Sequence, residues 1–385
     1  MNKRFLPLLA LLSLFVRMNA QDLTATLQQN GSSTIYYGSS ALRVAYANAE
    51  DGATITLSSG TFDGLNTSIT KQVSIVGNSG EDGTNGTKIS TSKKVGDKYY
   101  SLIIDASNVK IEGLFAKRVC LASEKTINNC HISHCQIEYL RCPSRPGASP
   151  AGHYNTIIDQ CIIGTDSTAY GGAHNYCYKN SFIKEFISGN LYYPFYFTNC
   201  LIERYYYYDE EFYTGNHPTS PYGTYKNCIL GQFIRWYYSN YLSKPYYLKV
   251  GSSNGYLQRK PDLKGENSHY YKCIFYIYPY TTQNEGYTFA ISEELKSLEM
   301  GFYDDNYDKE NILMSTYNSL FNSDGNLKKT LNSSFKGDDG KVIGPYGGEG
   351  FTLIPSIPRI TESTIESYTN GEGRLNAKIK VQVNP

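Results

Sequence analysis

Lys184 and Glu185 follow Ser181 at the same offsets at which Glu203 and Arg204 follow Cys200. In that register Lys184 stands over Glu203 and Glu185 over Arg204, so opposite charges alternate on neighbouring segments. Such a pattern supports two chemistries. One is a set of cross-strand ion pairs of small value. The other is a cation acting as proton acceptor beside a substrate groove, with Lys184, Arg204 and Arg235 as the candidates. Paired-carboxylate hydrolysis has less support, because Asp105, Asp159 and Asp166 share no register. The six histidines form no His-x-x-His pair beside a carboxylate, and no Ser or Cys lies in a nucleophile elbow. The acidic run from Asp304 to Glu310 offers oxygen ligands for Ca²⁺ but lacks the glycine and spacing of a calcium loop, so it reads as a solvated loop. No Cys or His pairs stand at zinc spacing, and no cofactor is expected.

Tyrosine is the most distinctive residue, with 37 copies, many in the middle of the chain. A tyrosine ring has a flat apolar face and a polar tip, which suits stacking on a sugar ring while the hydroxyl stays wet. Tyr205, Tyr206, Tyr207, Trp236, Tyr237 and Tyr238 are the candidate substrate-binding residues. The alternative is that the rings stack on one another and shield an outer sheet.

The elements that carry these residues are repeats. Asn129-Cys130-His131-Ile132, Gln160-Cys161-Ile162-Ile163, Asn180-Ser181-Phe182-Ile183, Asn199-Cys200-Leu201-Ile202, Asn227-Cys228-Ile229-Leu230 and Lys272-Cys273-Ile274-Phe275 align, with a base step near 20 residues. One such unit cannot bury its own apolar face, so neighbours must stack at strand spacing. The period of two puts the Cys and the final apolar residue of each repeat on one side, taken as the interior. The residue between them then faces out and is apolar in most copies, which predicts either a cover, from loops 209–224 and 239–268, or a sticky surface. A repeated buried thiol packs as a small apolar group and needs no redox role. Cys120, Cys135, Cys142 and Cys177 remain available for disulfides.

Upstream, Leu42, Ala45, Tyr46 and Ala49 fall on one helical face between Ser40 and Gly52, and a helix there can close the end of a β stack. Thr54–Leu57, 73–76 and Leu102–Ile104 read as strands, and the Gly-rich stretch 78–96 as a polar loop. After Gly350, alternating residues on either side of Thr369 to Gly373 read as a β-hairpin. Residues 1–20 have the basic start, apolar run and small final residue of a secretory signal peptide. Their apolar run is too short to span a bilayer, so no transmembrane segment is expected. The 36 basic residues balance 35 acidic ones, which removes the electrostatic case for a nucleic-acid partner. Charged residues make up 18% of the chain, against about 25% in an average domain, a composition of strands and turns rather than helix surfaces.

The stretch ALRVAYANAEDGATITLSSGTF from Ala41 to Phe62, with Val73-Ser74-Ile75-Val76-Gly77, resembles the N-terminal cap and first coils of right-handed parallel β-helix proteins, the pectin-lyase-like superfamily. The Asn-Cys-x-Ile repeats are similar to its later coils. The segment Gly337 to Gly348 looks like the closing segment of secreted β-helix proteins from Gram-negative bacteria. The resemblance covers roughly residues 34 to 350. It implies an all-β right-handed parallel β-helix solenoid with an N-terminal capping helix and a short C-terminal β-hairpin tail. The organisation expected is a signal peptide over 1–20, the β-helix over 21–350 and the tail over 351–385. The resemblance also implies that lyases of the family abstract a proton with Lys or Arg, often helped by Ca²⁺. The function expected is a secreted or surface protein that binds polysaccharide through its Tyr-rich face. A polysaccharide lyase or glycoside hydrolase is the enzymatic alternative, and a non-catalytic adhesin or structural surface protein the third.

Overall fold

Alternation of buried and exposed residues over three to nine positions, punctuated by Asn and Gly, gives this chain short strands in place of helices. The computed structural model describes residues 23–79, 86–95, 98–122, 126–141, 153–167, 173–188, 195–209, 223–237, 268–277, 281–282, 287–288, 312–331, 335–355, 359–369 and 375–382. The described chain is all-β in class, with two large sheets. The first begins with an antiparallel hairpin, Thr24–Gln29 with Ser32–Tyr37, and then runs parallel in chain order from Thr54–Leu57 to Ser268–Tyr271. The second is parallel from Gly60–Phe62 to Ile312–Thr316. From Lys110–Glu112 to Cys273–Ile277 the chain alternates between them, so each first-sheet strand is followed by a second-sheet strand stacked on its predecessor. A smaller parallel sheet joins Ile127–Asn128, His153–Tyr154 and Ala173–His174. Residues 1–20, expected to be a signal peptide, lie outside the described part.

The corner between the two sheets sets the register. Its residues are Gly113, His134, Gln160, Asn180, Asn199, Asn227 and Lys272, all at φ between 43° and 68°. A side chain in this left-handed region costs about 1–2 kcal/mol, least for Asn, whose short amide bonds locally. Each corner stays inside the hydrogen-bond ladder: the Asn180 N–H donates to Thr198 O at 3.0 Å, and Asn199 N–H to Lys226 O at 2.9 Å. Asn129 occupies a different corner, in a column with Asn108, Asn155 and Asn175 where the chain enters the first sheet. The repeat that aligns with Gln160-Cys161 is therefore His134-Cys135-Gln136-Ile137, with Ile137 paired to Ile163, and not the Asn129-Cys130 segment. Both begin with a left-handed residue before a buried Cys, so the local pattern alone cannot separate them.

Past each corner stands a buried Cys135, Cys161, Ser181, Cys200, Cys228 or Cys273. Each sulfur or hydroxyl lies near the carbonyl two residues back, for example Cys161 Sγ to Asp159 O at 3.2 Å. Burial pushes the thiols of Cys161, Cys228 and Cys273 well above their usual range, which keeps them protonated and unreactive. All eight described cysteines are free, including Cys120, Cys135 and Cys177; Cys142 lies outside the described residues.

The interior of the middle repeats is aromatic. Tyr178, Phe197 and Tyr225 stack with centroids 4.8 and 5.1 Å apart, and Phe186, Phe195, Tyr176 and Tyr205 pack around them. Each fully buried ring of this size contributes about 1.5–3 kcal/mol through removal from water. At the N-terminal end, the helix Ala41–Asn48 buries Ala41, Leu42, Ala45 and Tyr46. Asn30 and Gly31, both at positive φ, make the tight turn of the first hairpin, a dipeptide signal that the strand reading did not use. Thr87–Ile89 pairs into the second sheet within the stretch read as a polar loop. Its three residues are too short a run for periodicity to reveal, and burial of Thr87 and Ile89 decides it.

The outward apolar row is covered, but by the C-terminal part of the chain. Leu201, Ile229 and Ile274 form a second core with Leu320, Phe321, Leu327 and Ile343, and Phe182 meets Tyr346 and Phe351 edge to face. The segment 335–355 runs back along the corner column as a strap. Asn227 Nδ2 donates to Asp338 Oδ1 at 2.7 Å, and Asn180 Nδ2 to Gly347 O at 2.6 Å. Gln160 Oε1 accepts from Thr352 N–H at 2.9 Å, His134 Nδ1 lies 2.8 Å from Thr352 O, and Ser79 donates to Leu353 O. At Gly348, φ 57°, an added Cβ would collide with the Asn199 amide. Of the loops expected to provide this cover, 209–224 and 239–268, residues 210–222 and 239–267 lie outside the described residues. Beyond the strap, Arg359–Thr369 and Leu375–Gln382 pair antiparallel as the expected hairpin.

Replacing Asn227 tests the double role of the corner. Asn227→Ala loses both the left-handed preference and the strap contacts and costs about 2–4 kcal/mol in urea unfolding. Asn227→Gly keeps the backbone freedom and costs measurably less; equal losses would show that backbone conformation is irrelevant at the corner.

Candidate functional site

The second sheet carries the expected charged residues on its outer side. Each strand turns two consecutive residues outward between interior positions, so Lys184 and Glu185 lie between buried Ile183 and Phe186, and Glu203 and Arg204 between buried Ile202 and Tyr205. Glu185 pairs in register with Thr165 on one side and Arg204 on the other. Arg204 Nη1 lies 3.0 Å from Glu185 Oε1, and Thr165 Oγ1 donates to Glu185 Oε2 at 3.1 Å. Further along the row the Arg118 guanidinium lies 5.2 Å from the centre of the Tyr139 ring. Burial raises the Glu203 carboxyl above its ordinary value, opposed by Lys184 and Arg204. Lys184 is exposed. Arg204 is thus held in an ion-pair row. Arg235 stands opposite Tyr207 in the strand register.

The expected Tyr strip is reassigned in part. Tyr205 is 1% exposed and packs against Phe186 and Tyr225, so it belongs to the core and not to an outer binding face. The physical reason is parity at the bend: with Glu203 and Arg204 both outward, the next residue returns inside. Tyr206, Tyr207, Trp236 and Tyr237 continue the paired strands, with Tyr206 opposite Ile187 and Trp236 opposite Tyr208, and their side chains lie outside the described part of the structure. Tyr238 and the acidic run 304–310 also lie outside it.

The outer face of the first sheet holds a cluster that the sequence reading did not assemble. Two columns run along it. One reads Lys110, His131, Ile157, Cys177, Tyr196 and Thr224. The other reads Glu112, Ser133, Asp159, Lys179, Thr198, Lys226 and Tyr271. At the N-terminal end Lys110 Nζ lies 2.7 Å from a buried Glu112 Oε2. Burial, then Lys110, lowers His131 below the usual imidazole value, which favours its neutral form. Burial raises Asp159, opposed by His134 and Lys179. His131 and His134 therefore do stand beside carboxylates, Glu112 and Asp159, which come from neighbouring strands and are invisible in the local sequence. Among the described residues no group of three or more His, Cys, Asp or Glu is arranged to hold a metal ion. Towards the C-terminal end the columns expose Lys179, Tyr196, Lys226 and Tyr271, with Lys226 Nζ 2.6 Å from Asp338 Oδ2 of the strap. The signal for this strip was the same period of two that marks Ile132 and Ile158 as interior, applied one residue to either side.

A cavity of about 420 Å³ lies against the strap, lined by Lys329, Tyr346, Phe351, Thr352, Leu353 and Ile354. Among the described residues no helix is long and apolar enough to cross a membrane.

Arg204→Ala removes an ion pair whose side chains are 24% and 27% exposed, so its expected cost is under about 1 kcal/mol by urea denaturation. A loss of several times that size would mark the row as more than a partly exposed ion pair. Comparison with protein-family models, with curated proteins and with solved structures finds no match to this chain.

Proposed function

We propose that this chain is an exported right-handed parallel β-helix solenoid of the pectin-lyase-like kind, and that it binds polysaccharide along the outer face of its first sheet. The observation that carries the binding reading is the strip of Lys179, Tyr196, Thr198, Lys226 and Tyr271. It joins two exposed rings, 39% and 48% accessible, to ammonium and hydroxyl groups in two straight columns. Parallel strands set successive groups about 4.7–4.9 Å apart, close to the length of one pyranose ring, so a sugar chain lying across the strands meets a polar or aromatic side chain at each step from Lys179 to Tyr271. Tyrosine supplies stacking area at low entropic cost, and the flanking hydroxyls and amines supply hydrogen bonds. The solenoid reading is supported by the strict alternation between two parallel sheets and by the left-handed corner column. Export is supported by the leader pattern of residues 1–20.

Gel retardation by a panel of neutral and acidic polysaccharides tests the binding reading. The expected result is retardation by at least one glycan, weakened tenfold or more in Tyr196→Ala/Tyr271→Ala, which corresponds to about 1.4 kcal/mol or more. Unchanged retardation in the double variant would remove the strip from the interaction.

A second reading, glycoside hydrolysis on the second sheet, is favoured by one observation. Glu203 is shifted towards its protonated form by burial, while its neighbour Glu185 is ion-paired with Arg204. Two carboxyls in such different environments fit an acid and a base. Mass spectrometry of glycans incubated with the protein decides it: this reading requires hydrolytic products that disappear in Glu203→Gln, and intact glycans eliminate it.

A further inference from the structure

The N-terminal hairpin ends the first sheet in a strand without charge, proline or bulge. Ser32–Tyr37 pairs with Thr24–Gln29 through six consecutive residues without a bulge. Among the described residues no strand pairs with its other side. Its sequence, SSTIYY, contains no charge and no proline and is rich in β-formers. Edge strands are ordinarily blunted by Lys, Pro, a bulge or a cover, because their free N–H and C=O groups template the addition of another strand. Here the edge is also apolar on its solvent side. Thr34 and Tyr36 lie opposite Leu27 and buried Ala25, so Ile35 and Tyr37 face outward, and they are 51% and 66% exposed. Val44, 41% exposed, lies on the helix packed beside this strand.

We propose that Ser32–Tyr37 is a dimerisation edge that pairs antiparallel with the same strand of a second copy, extending the first sheet across a two-fold axis. The symmetry dictates the register. A two-fold perpendicular to the sheet keeps outer faces together, so the axis passes through a residue and residues of equal parity face each other. Centred on Ile35, it sets Ile35 against its own copy, Ser33 against Tyr37 and Thr34 against Tyr36. On the outward face Ile35 then meets Ile35, with the ring of each Tyr37 beside Ser33 of the other copy. The absence of charge lets identical strands approach without like-charge repulsion, a condition that a strand bearing Lys or Glu at these positions would fail. Gly31 and Gly38, both at positive φ, bound the strand and limit pairing to its six residues. One such edge per chain makes an isologous contact that closes at two copies, so it gives a dimer and not a fibre.

Light scattering after size exclusion, on the purified protein at micromolar concentration, tests this. The expected mass is twice that of one chain, and Ile35→Lys/Tyr37→Lys halves it while leaving the circular-dichroism spectrum and unfolding midpoint close to the parent, since both side chains lie outside the core. Ile35→Cys supplies an independent readout. Ile35 turns its N–H and C=O away from Thr24–Gln29, so two opposed copies form a hydrogen-bonded pair with Cα atoms about 5.5 Å apart, and a short bismaleimide joins the two thiols into a covalent dimer absent from the parent. A monomer at all concentrations, a dimer indifferent to the double lysine variant, or a dimer in which Ile35→Cys fails to cross-link would each overturn the proposal. All of these results are independent of whether the Tyr196 strip binds glycan.

Discussion

The bend between the two sheets is the constraint on which the rest depends. At that bend the chain must reverse its curvature without leaving the hydrogen-bond ladder, and a left-handed residue does this in one step. Gly113 meets the requirement without steric cost, and Asn180, Asn199 and Asn227 meet it at a small one. Stacking then buries those amides, with Asn227 only 2% exposed, and buried amides need partners. The strap supplies them at Asn180 and Asn227. The polar column that shapes each repeat is therefore also the site where the strap is recognised, and the apolar row beside it is sealed by the strap together with Leu320, Phe321 and Leu327. A local backbone preference has become a long-range docking code.

The same geometry divides the aromatic residues between two jobs. Interior positions of the first sheet in the middle repeats are Tyr178, Phe197 and Tyr225, and their near-parallel stacking follows from the strand spacing that places one ring over the next. Tyr178 also donates its hydroxyl to the buried Asp166 at 2.9 Å, so the core uses the phenol as well as the ring. One residue away in sequence, Tyr196 points to the opposite side and is exposed. Along these first-sheet strands parity decides whether a described tyrosine is buried or exposed.

How much of this was legible in the sequence follows from that local character. The Cys-x-Ile alternation identified the interior, the first helix declared itself by face and punctuation, and the Lys184–Arg204 register was readable because equal spacing means equal height. Four features were not readable. Asn129 and His134 both precede a buried cysteine, so choosing between the two corner columns needed the strand pairing. Tyr205 follows a bend that turns two residues outward, which breaks a simple count of two. The strap contacts its column largely through glycine and carbonyl groups, which leave almost no trace in residue type. The Lys110, Glu112, His131 and Asp159 cluster was hidden for a related reason: its members come from three strands, and only stacking makes them neighbours.

The strap also gives the chain an unusual contact order. Its bonds join residues separated by 111 positions at Asn227, 167 at Asn180, 192 at Gln160, 218 at His134 and 274 at Ser79. Made independently, such closures would be slow, since long-range pairing must pay loop entropy before it is rewarded. Here they are nested, because each bond lies next to the one before along both the strap and the column. Once Asp338 engages Asn227, the next closure, Gly347 to Asn180, has only the strap from Asp338 to Gly347 left to order against repeats already stacked, and the entropic cost grows with the logarithm of loop length. The end of the chain can therefore close over finished repeats like a zipper pulled back towards the beginning, with the first tooth setting the register of all the others.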